Sequence, residues 1–244
     1  MKSMISILML AIALGGVGVV WPQEESVDVV RTDEGELRIR PIIHGSLMLE
    51  FRGKVIHVDP WSRGNYAGLP KADLILITDV HSDHMDRAMV DQLKKETTVI
   101  LAPVAVAETI REAQVIRNGE RRTVDGIAIE AVPMYNLVRG PGPGQLYHTK
   151  GRGNGYVLTL GGKRVYISGD TECVPEIKAL KGIDIAFICM NLPFTMPPEE
   201  AAECVKAFRP KIVYPYHYRN SDLNVFLNAL KEEPGIEVRL RKWY

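Results

Sequence analysis

Residues 78–84 read Thr78-Asp79-Val80-His81-Ser82-Asp83-His84, directly after the apolar run Leu74-Ile75-Leu76-Ile77. Two imidazoles and two carboxylates at the end of a buried strand constrain the chain more than any other feature. In an extended segment Asp79, His81 and Asp83, at alternate positions, point the same way, and His84 adjoins them from the turn. Lone-pair donors converging from a rigid strand end serve a metal ion. A polar loop feeding a helix would explain Asp83 and Asp86 as caps. It would not explain two histidines at this spacing among only six in the chain.

The 244 residues carry 30 basic and 30 acidic side chains and are 46% apolar, enough for one large domain with a core. Zero net charge provides no field for a nucleic-acid partner or for adsorption to a membrane surface. Lys2 followed by an apolar stretch to Trp21 reads residues 1–22 as a signal peptide or an N-terminal membrane anchor. Either implies a periplasmic or secreted protein whose one membrane contact is an uncleaved N-terminus; a buried N-terminal helix is the alternative. Residues 23–35 read as a linker and 36–244 as the domain. The odd cysteine number (Cys173, Cys189, Cys204) means that not all can pair internally, no C-x-x-C spacing suggests a thiolate zinc site, and a disulfide is the less favoured reading. Cys189, in an apolar run, reads as buried and inert.

Apolar alternation and turn residues divide the domain into two halves. Strands are expected over 37–40, then a hairpin of 47–51 and 55–58 turning at Arg52-Gly53-Lys54, then 72–78 as a strand covered on both faces. A helix over 86–95 with Asp86 as N-cap, a strand over 98–102 and a helix over 103–113 complete the first half. The second half has strands at 121–124, 127–132, 155–160 and 164–168, the last two joined at Gly161-Gly162. A βα alternation follows: strand 183–189, helix 197–208, strand 211–216, helix 221–231, strand 237–240. Hairpins mixed with βα units predict two mixed sheets packed face to face with helices outside.

Two further strands end in candidate ligands, one in Gly169-Asp170-Thr171 and one in Tyr216-His217. With the first cluster they have the order and spacing of the metallo-β-lactamase superfamily, whose signature H-x-H-x-D-H the segment 79–84 resembles with Asp79 in place of the first histidine. The resemblance spans about residues 36–240 and is closest to the lactonase-like branch, similar to L-ascorbate-6-phosphate lactonases; Ile56-His57-Val58-Asp59-Pro60 and Gly155-Tyr156 also fit it. It implies an αββα sandwich. It also implies Asp79 and His81 at a first metal, Asp83, His84 and His217 at a second, and Asp170 bridging both. Asn136 stands where the family's third first-site histidine is expected, and His148, beyond the glycine- and proline-rich stretch 140–144, is the candidate to fill the vacancy. Solvent or substrate contact is the other reading of His148. His44 reads as a backbone-bonding residue ahead of a site-lining one, His57 as a strand histidine, and Asp59 as a support behind the ligands.

The implied cofactor is zinc, as one or two ions, with manganese or iron as alternatives because Asp79 adds oxygen ligation and negative charge. The implied activity is hydrolysis of an ester, lactone or phosphodiester by a metal-activated water, with Asp83 and Asp170 as its catalytic carboxylates. The expected partner is a small-molecule substrate, anionic if Arg139, Lys150 or Arg152 faces the site; a solvated loop is the preferred reading of those residues. The alternative is a metal-binding or interaction protein with little catalysis, its first site altered by Asp79 and Asn136. A di-iron redox protein is a third reading. No G-x-S-x-G supports a serine hydrolase.

Overall fold

The computed structural model describes residues 27–244; the signal or anchor reading of residues 1–22 lies outside them. Alternating apolar residues build one seven-stranded sheet from β1 (Asp28–Thr32), β2 (Gly35–Ile43), β3 (Ser46–Phe51), β4 (Lys54–Val58), β5 (Leu74–Leu76), β6 (Val99–Ala102) and β7 (Gln114–Val115). The strands lie side by side in chain order. A second seven-stranded sheet holds β8 (Arg121–Val124), β9 (Ile127–Met134), β10 (Gly153–Leu160), β11 (Lys163–Ile167), β12 (Ile185–Cys189), β13 (Ile212–Tyr216) and β14 (Glu237–Val238), again as sequence neighbours. Each sheet is antiparallel over its hairpins and parallel over its βα units.

The strand period of two decides which side chain meets which layer. Leu74 and Leu76 of β5 join Leu37, Leu49, Ile56 and, from the other sheet, Ile129, Leu158 and Ile167 in the central core. Ile75 and Ile77 point the opposite way, against Val90 and Val106, from α1 (Arg87–Leu93) and α2 (Val104–Ala107). On the far side lie α3 (Pro175–Lys178), α4 (Pro198–Phe208) and α5 (Leu223–Leu230). In α4, Pro198 occupies the first turn with Glu199 and Glu200 favourable to the helix dipole, and Arg209 closes it in the left-handed conformation. Its Ala201, Ala202, Val205 and Phe208 form the buried stripe. The result is the expected αββα sandwich.

Three expectations need correction. The 23–35 segment is no linker throughout: Asp28–Thr32 pairs antiparallel with β2, because Asp28 receives the Tyr214 hydroxyl at 2.8 Å and the Arg241 guanidinium at 2.6 Å while Val30 packs on the core. The helix expected over 103–113 stops at Ala107, and the chain turns to place Ile110 and Ala113 under the sheet. Cys173 and Cys204 are joined in a disulfide, leaving Cys189 as the free, buried thiol. Residues 31 positions apart gave no local spacing signal; packing α4 beside α3 brings them together. Among the described residues no helix is long and apolar enough to cross a membrane.

The sheets are tied at the edge where the parallel strands end. Asn154 N donates to Thr78 O at 2.9 Å, and the Tyr156 hydroxyl donates to Ile77 O at 2.8 Å. His217 N donates to His44 O at 2.9 Å, and His44 N to Trp243 O at 3.0 Å. Closing a loop of this length with a disulfide stabilises by about 3–4 kcal/mol in the chain-entropy account. Cys204→Ser is therefore expected to lower the thermal midpoint by several degrees, measured by calorimetry without reductant; an unchanged midpoint would show the bond to be incidental.

Candidate metal centre

The ends of β5, β11 and β13, the β2–β3 turn and the β9–β10 connection all open onto this edge, the usual ligand side of a parallel sheet. They bring together every residue expected there: Asp79, His81, Asp83, His84, His148, Asp170 and His217. Gly169, at φ +60°, lets the strand turn at once: a Cβ there would lie 2.4 Å from Met134 Sδ. Asp170 therefore projects from the strand end into the middle of the cluster.

His84 is held from behind. Its Nδ1 donates to Asp59 Oδ2 at 2.8 Å, and the same carboxylate accepts from Thr78 N at 2.7 Å and Thr78 Oγ1 at 2.6 Å. The proton is thereby fixed on Nδ1 and the Nε2 lone pair faces Asp170 Oδ2 at 3.4 Å. His148 follows the same logic with a different partner. Its Nδ1 donates to Asn136 Oδ1 at 2.6 Å, its backbone N donates to the same oxygen at 2.8 Å, and its Nε2 lies 3.4 Å from Asp170 Oδ2. Of the two residues weighed for the vacancy, His148 turns a ring nitrogen inward and Asn136 orients it.

Glu172 anchors that arrangement. Buried to 1% exposure, it accepts from Leu137 N, Val138 N and Arg139 N and from Asn136 Nδ2. The disulfide begins at the next residue. Burial raises the Glu172 carboxyl, and these hydrogen bonds together with the Arg139 charge outweigh it and hold it below the ordinary value.

On the other side His217 Nε2 lies 3.3 Å from Asp170 Oδ1 and 3.5 Å from Asp83 Oδ2. His44 lines the site, against the reading preferred from sequence: its Nε2 donates to Asp83 Oδ2 at 3.0 Å and its ring lies 3.6 Å from that of His217. The Tyr244 hydroxyl, which accepts from Arg219 N at 2.8 Å, bonds to the other ring nitrogen of His44. Burial pushes His44 down to about 4, beyond what its hydrogen bond to Asp83 restores, so the ring is neutral near neutral pH. Burial also opposes ionisation of Asp83, but the His217 imidazole 3.5 Å away and the His44 hydrogen bond prevail and keep it well below the carboxylate range.

Asp79 differs from the rest. Arg152 Nε donates to its Oδ1 at 3.0 Å and Nη2 to its Oδ2 at 2.7 Å, so Arg152 is bound at the site and is not the solvated loop residue preferred from sequence. His81 Nδ1 lies 2.9 Å from the same Oδ2, while the His81 side chain stays 44% exposed.

The side chains around Asp170 fit a bound cation. His84 Nε2, His148 Nε2, Asp170 Oδ1 and both ring nitrogens of His217 are buried without a hydrogen-bond partner; their mutual contacts lack hydrogen-bond geometry. Each such group costs roughly 1–3 kcal/mol, so a cluster around one carboxylate persists only where something else satisfies it. The field agrees: burial disfavours a charged His84, yet the Asp170 and Asp59 carboxylates raise its pKa well above the ordinary value. A pocket that draws a proton onto a buried imidazole draws a metal cation by the same attraction.

Two mixed sheets face to face, with a histidine and aspartate cluster at one edge, define a metal-dependent hydrolase of the metallo-β-lactamase fold. The beta-lactamase superfamily domain matches residues 38–217, and the chain belongs to that superfamily and, within it, to the UPF0173 metal-dependent hydrolase family. It is 30% identical over 218 residues to a family member from Thermus thermophilus, covering 82% of this chain and 94% of the relative. It is 28% identical to one from Symbiobacterium thermophilum, covering 84% and 92%. A solved structure from Parabacteroides distasonis, named as a metal-dependent hydrolase, superposes with a TM-score of 0.85 at 43% identity, covering 91% of this chain and all of that one. The family supports the enzyme reading over that of a binding protein with little catalysis.

Sequence reasoning missed Glu172 and Tyr244, and ranked the site-lining roles of His44 and Arg152 second. The glycines flanking Arg152 at 151 and 153 were its one local signal. Asp59→Ala strips partners from Thr78 and frees the His84 ring; loss of such an orienting group typically costs 10–100-fold in metal affinity. Competition titration with a chromophoric chelator is expected to read a weakening of about that size. Wild-type affinity would remove Asp59 from the account.

Proposed function

We propose that the chain hydrolyses an ester, lactone or phosphodiester bond of a small anionic molecule at a zinc centre built on His84, Asp170 and His217, with His148 and Asp83 beside it. The observation that carries this reading is the group of unpartnered lone pairs around Asp170. Imidazole nitrogens with one carboxylate suit zinc; the further carboxylates nearby leave manganese or iron as competitors. A lactone is the bond favoured by the likeness of residues 79–84, 170 and 217 to the ascorbate-6-phosphate lactonase branch.

The bound ion supplies a Lewis acid that lowers the pKa of a water toward neutrality and polarises the oxygen on which charge develops. The chain's own residues do the rest. Asp83, 22% exposed and ionised, reaches toward solvent, where it orients the attacking water by accepting its hydrogen bond. His44 and Tyr244 hold Asp83 in that orientation. Asp170 fixes the imidazoles of His84, His148 and His217 around the reaction centre. Arg152 spends two N–H groups on Asp79 and retains others of its five for a substrate oxyanion.

We also infer export, from Lys2 and the apolar stretch to Trp21. The Cys173–Cys204 disulfide supports it, since such bonds persist in oxidising compartments.

A panel of lactones, phosphodiesters and β-lactams, with neutral and anionic members of each, tests the reading. Turnover of a lactone or diester is expected, lost on chelation, restored by zinc and reduced at least about 100-fold in His84→Ala. Activity indifferent to chelator, or confined to β-lactams, would refute it.

A further inference from the structure

Asp79 already has a cation. Its carboxylate meets the Arg152 guanidinium fork to fork, at 3.0 and 2.7 Å, the strong bidentate form of this pair. Asp79 is fully buried and Arg152 is 24% exposed, so the pair is poorly screened by salt. Burial pushes the Asp79 carboxyl up, and the adjacent His81 imidazole with the charges of His84 and Arg152 brings it below its ordinary value.

The contact is registered by the backbone. Asn154, two residues beyond Arg152, donates to Thr78 O, one residue before Asp79. Gly153 pairs with Met134 at the start of β10, and a Cβ there would lie 2.8 Å from that same Thr78 oxygen. Arg152 N is itself bonded to Thr149 O at 3.1 Å. The guanidinium is thus delivered by a strand end fixed against the strand that delivers Asp79.

The two sides of the cluster contrast. Around Asp170 the lone pairs of His84 and His217 are unpartnered, as is that of His148, which lies between the two sides at 3.4 Å from Asp170 Oδ2 and 3.8 Å from Asp79 Oδ2. At Asp79 both oxygens accept from Arg152, and His81 Nδ1 lies 2.9 Å from Oδ2. Asp79, His81 and His148 are close enough to share an ion, but an ion there would have to displace the guanidinium or sit against it.

We propose that Arg152 is the resident cation of the Asp79 side, so that the chain takes one divalent ion, on the His84–Asp170–His217 side, and gains a second only when Arg152 is removed. This rests on the metal-dependent reading above, and the test separates the two. Chelator-stripped full-length protein is loaded with excess zinc and desalted, and zinc per chain is measured by mass spectrometry alongside a thermal melt. Wild type is expected to retain one ion, Asp79→Asn also one, and Arg152→Gln two. Two ions in wild type, none in Asp79→Asn, or one in a folded Arg152→Gln would overturn the proposal. If Arg152→Gln does not fold, the wild-type and Asp79→Asn counts decide it alone. No zinc in wild type would instead overturn the metal reading itself.

Discussion

The Asp170 carboxylate, buried among three imidazoles that each turn an unpartnered nitrogen toward it, is the interaction on which the rest of the site depends. No side chain among the described residues gives those nitrogens a hydrogen bond, and the fold nevertheless spends much of its polar contact in aiming them. Asp59 and Thr78 lock His84, and Asn136 and Glu172 lock His148. His217 is placed by the backbone bond from its own N to His44 O. A cluster built this way is costly unless a ligand satisfies it, which is why it argues for an ion more strongly than the residue types alone.

The sandwich is what makes such aiming affordable. His84 comes from one sheet and Asp170 and His217 from the other, so their separation depends on how the sheets are registered. Asn154 to Thr78 and Tyr156 to Ile77 fix that register at the site edge, while the central core of aliphatic side chains fixes it elsewhere. The Cys173–Cys204 bond extends the same support outward, tying the segment that follows Asp170 to α4.

Much of this was legible in the chain because it is local. The turns at Arg52-Gly53 and Gly161-Gly162, the Asp86 cap and the apolar alternation of each strand need only near neighbours, and the ligand candidates announced themselves by ending strands. What stayed hidden is long-range. β1 looked like a polar linker because the partner of Asp28, Arg241, is 213 residues away. His148 could be weighed but not decided until Asn136 was seen to hold its ring. The meaning of Asp79 depends on Arg152, 73 residues distant: read alone it looked like a substituted ligand, and in the fold it is half of an ion pair.

The central claim is that an ion sits among His84, Asp170 and His217. Diffraction from zinc-loaded crystals, collected on both sides of the zinc absorption edge, tests it most directly. The account predicts an anomalous peak bounded by His84 Nε2, the Asp170 carboxylate and His217 Nε2. An empty pocket there, in crystals whose zinc content is established independently, would contradict it.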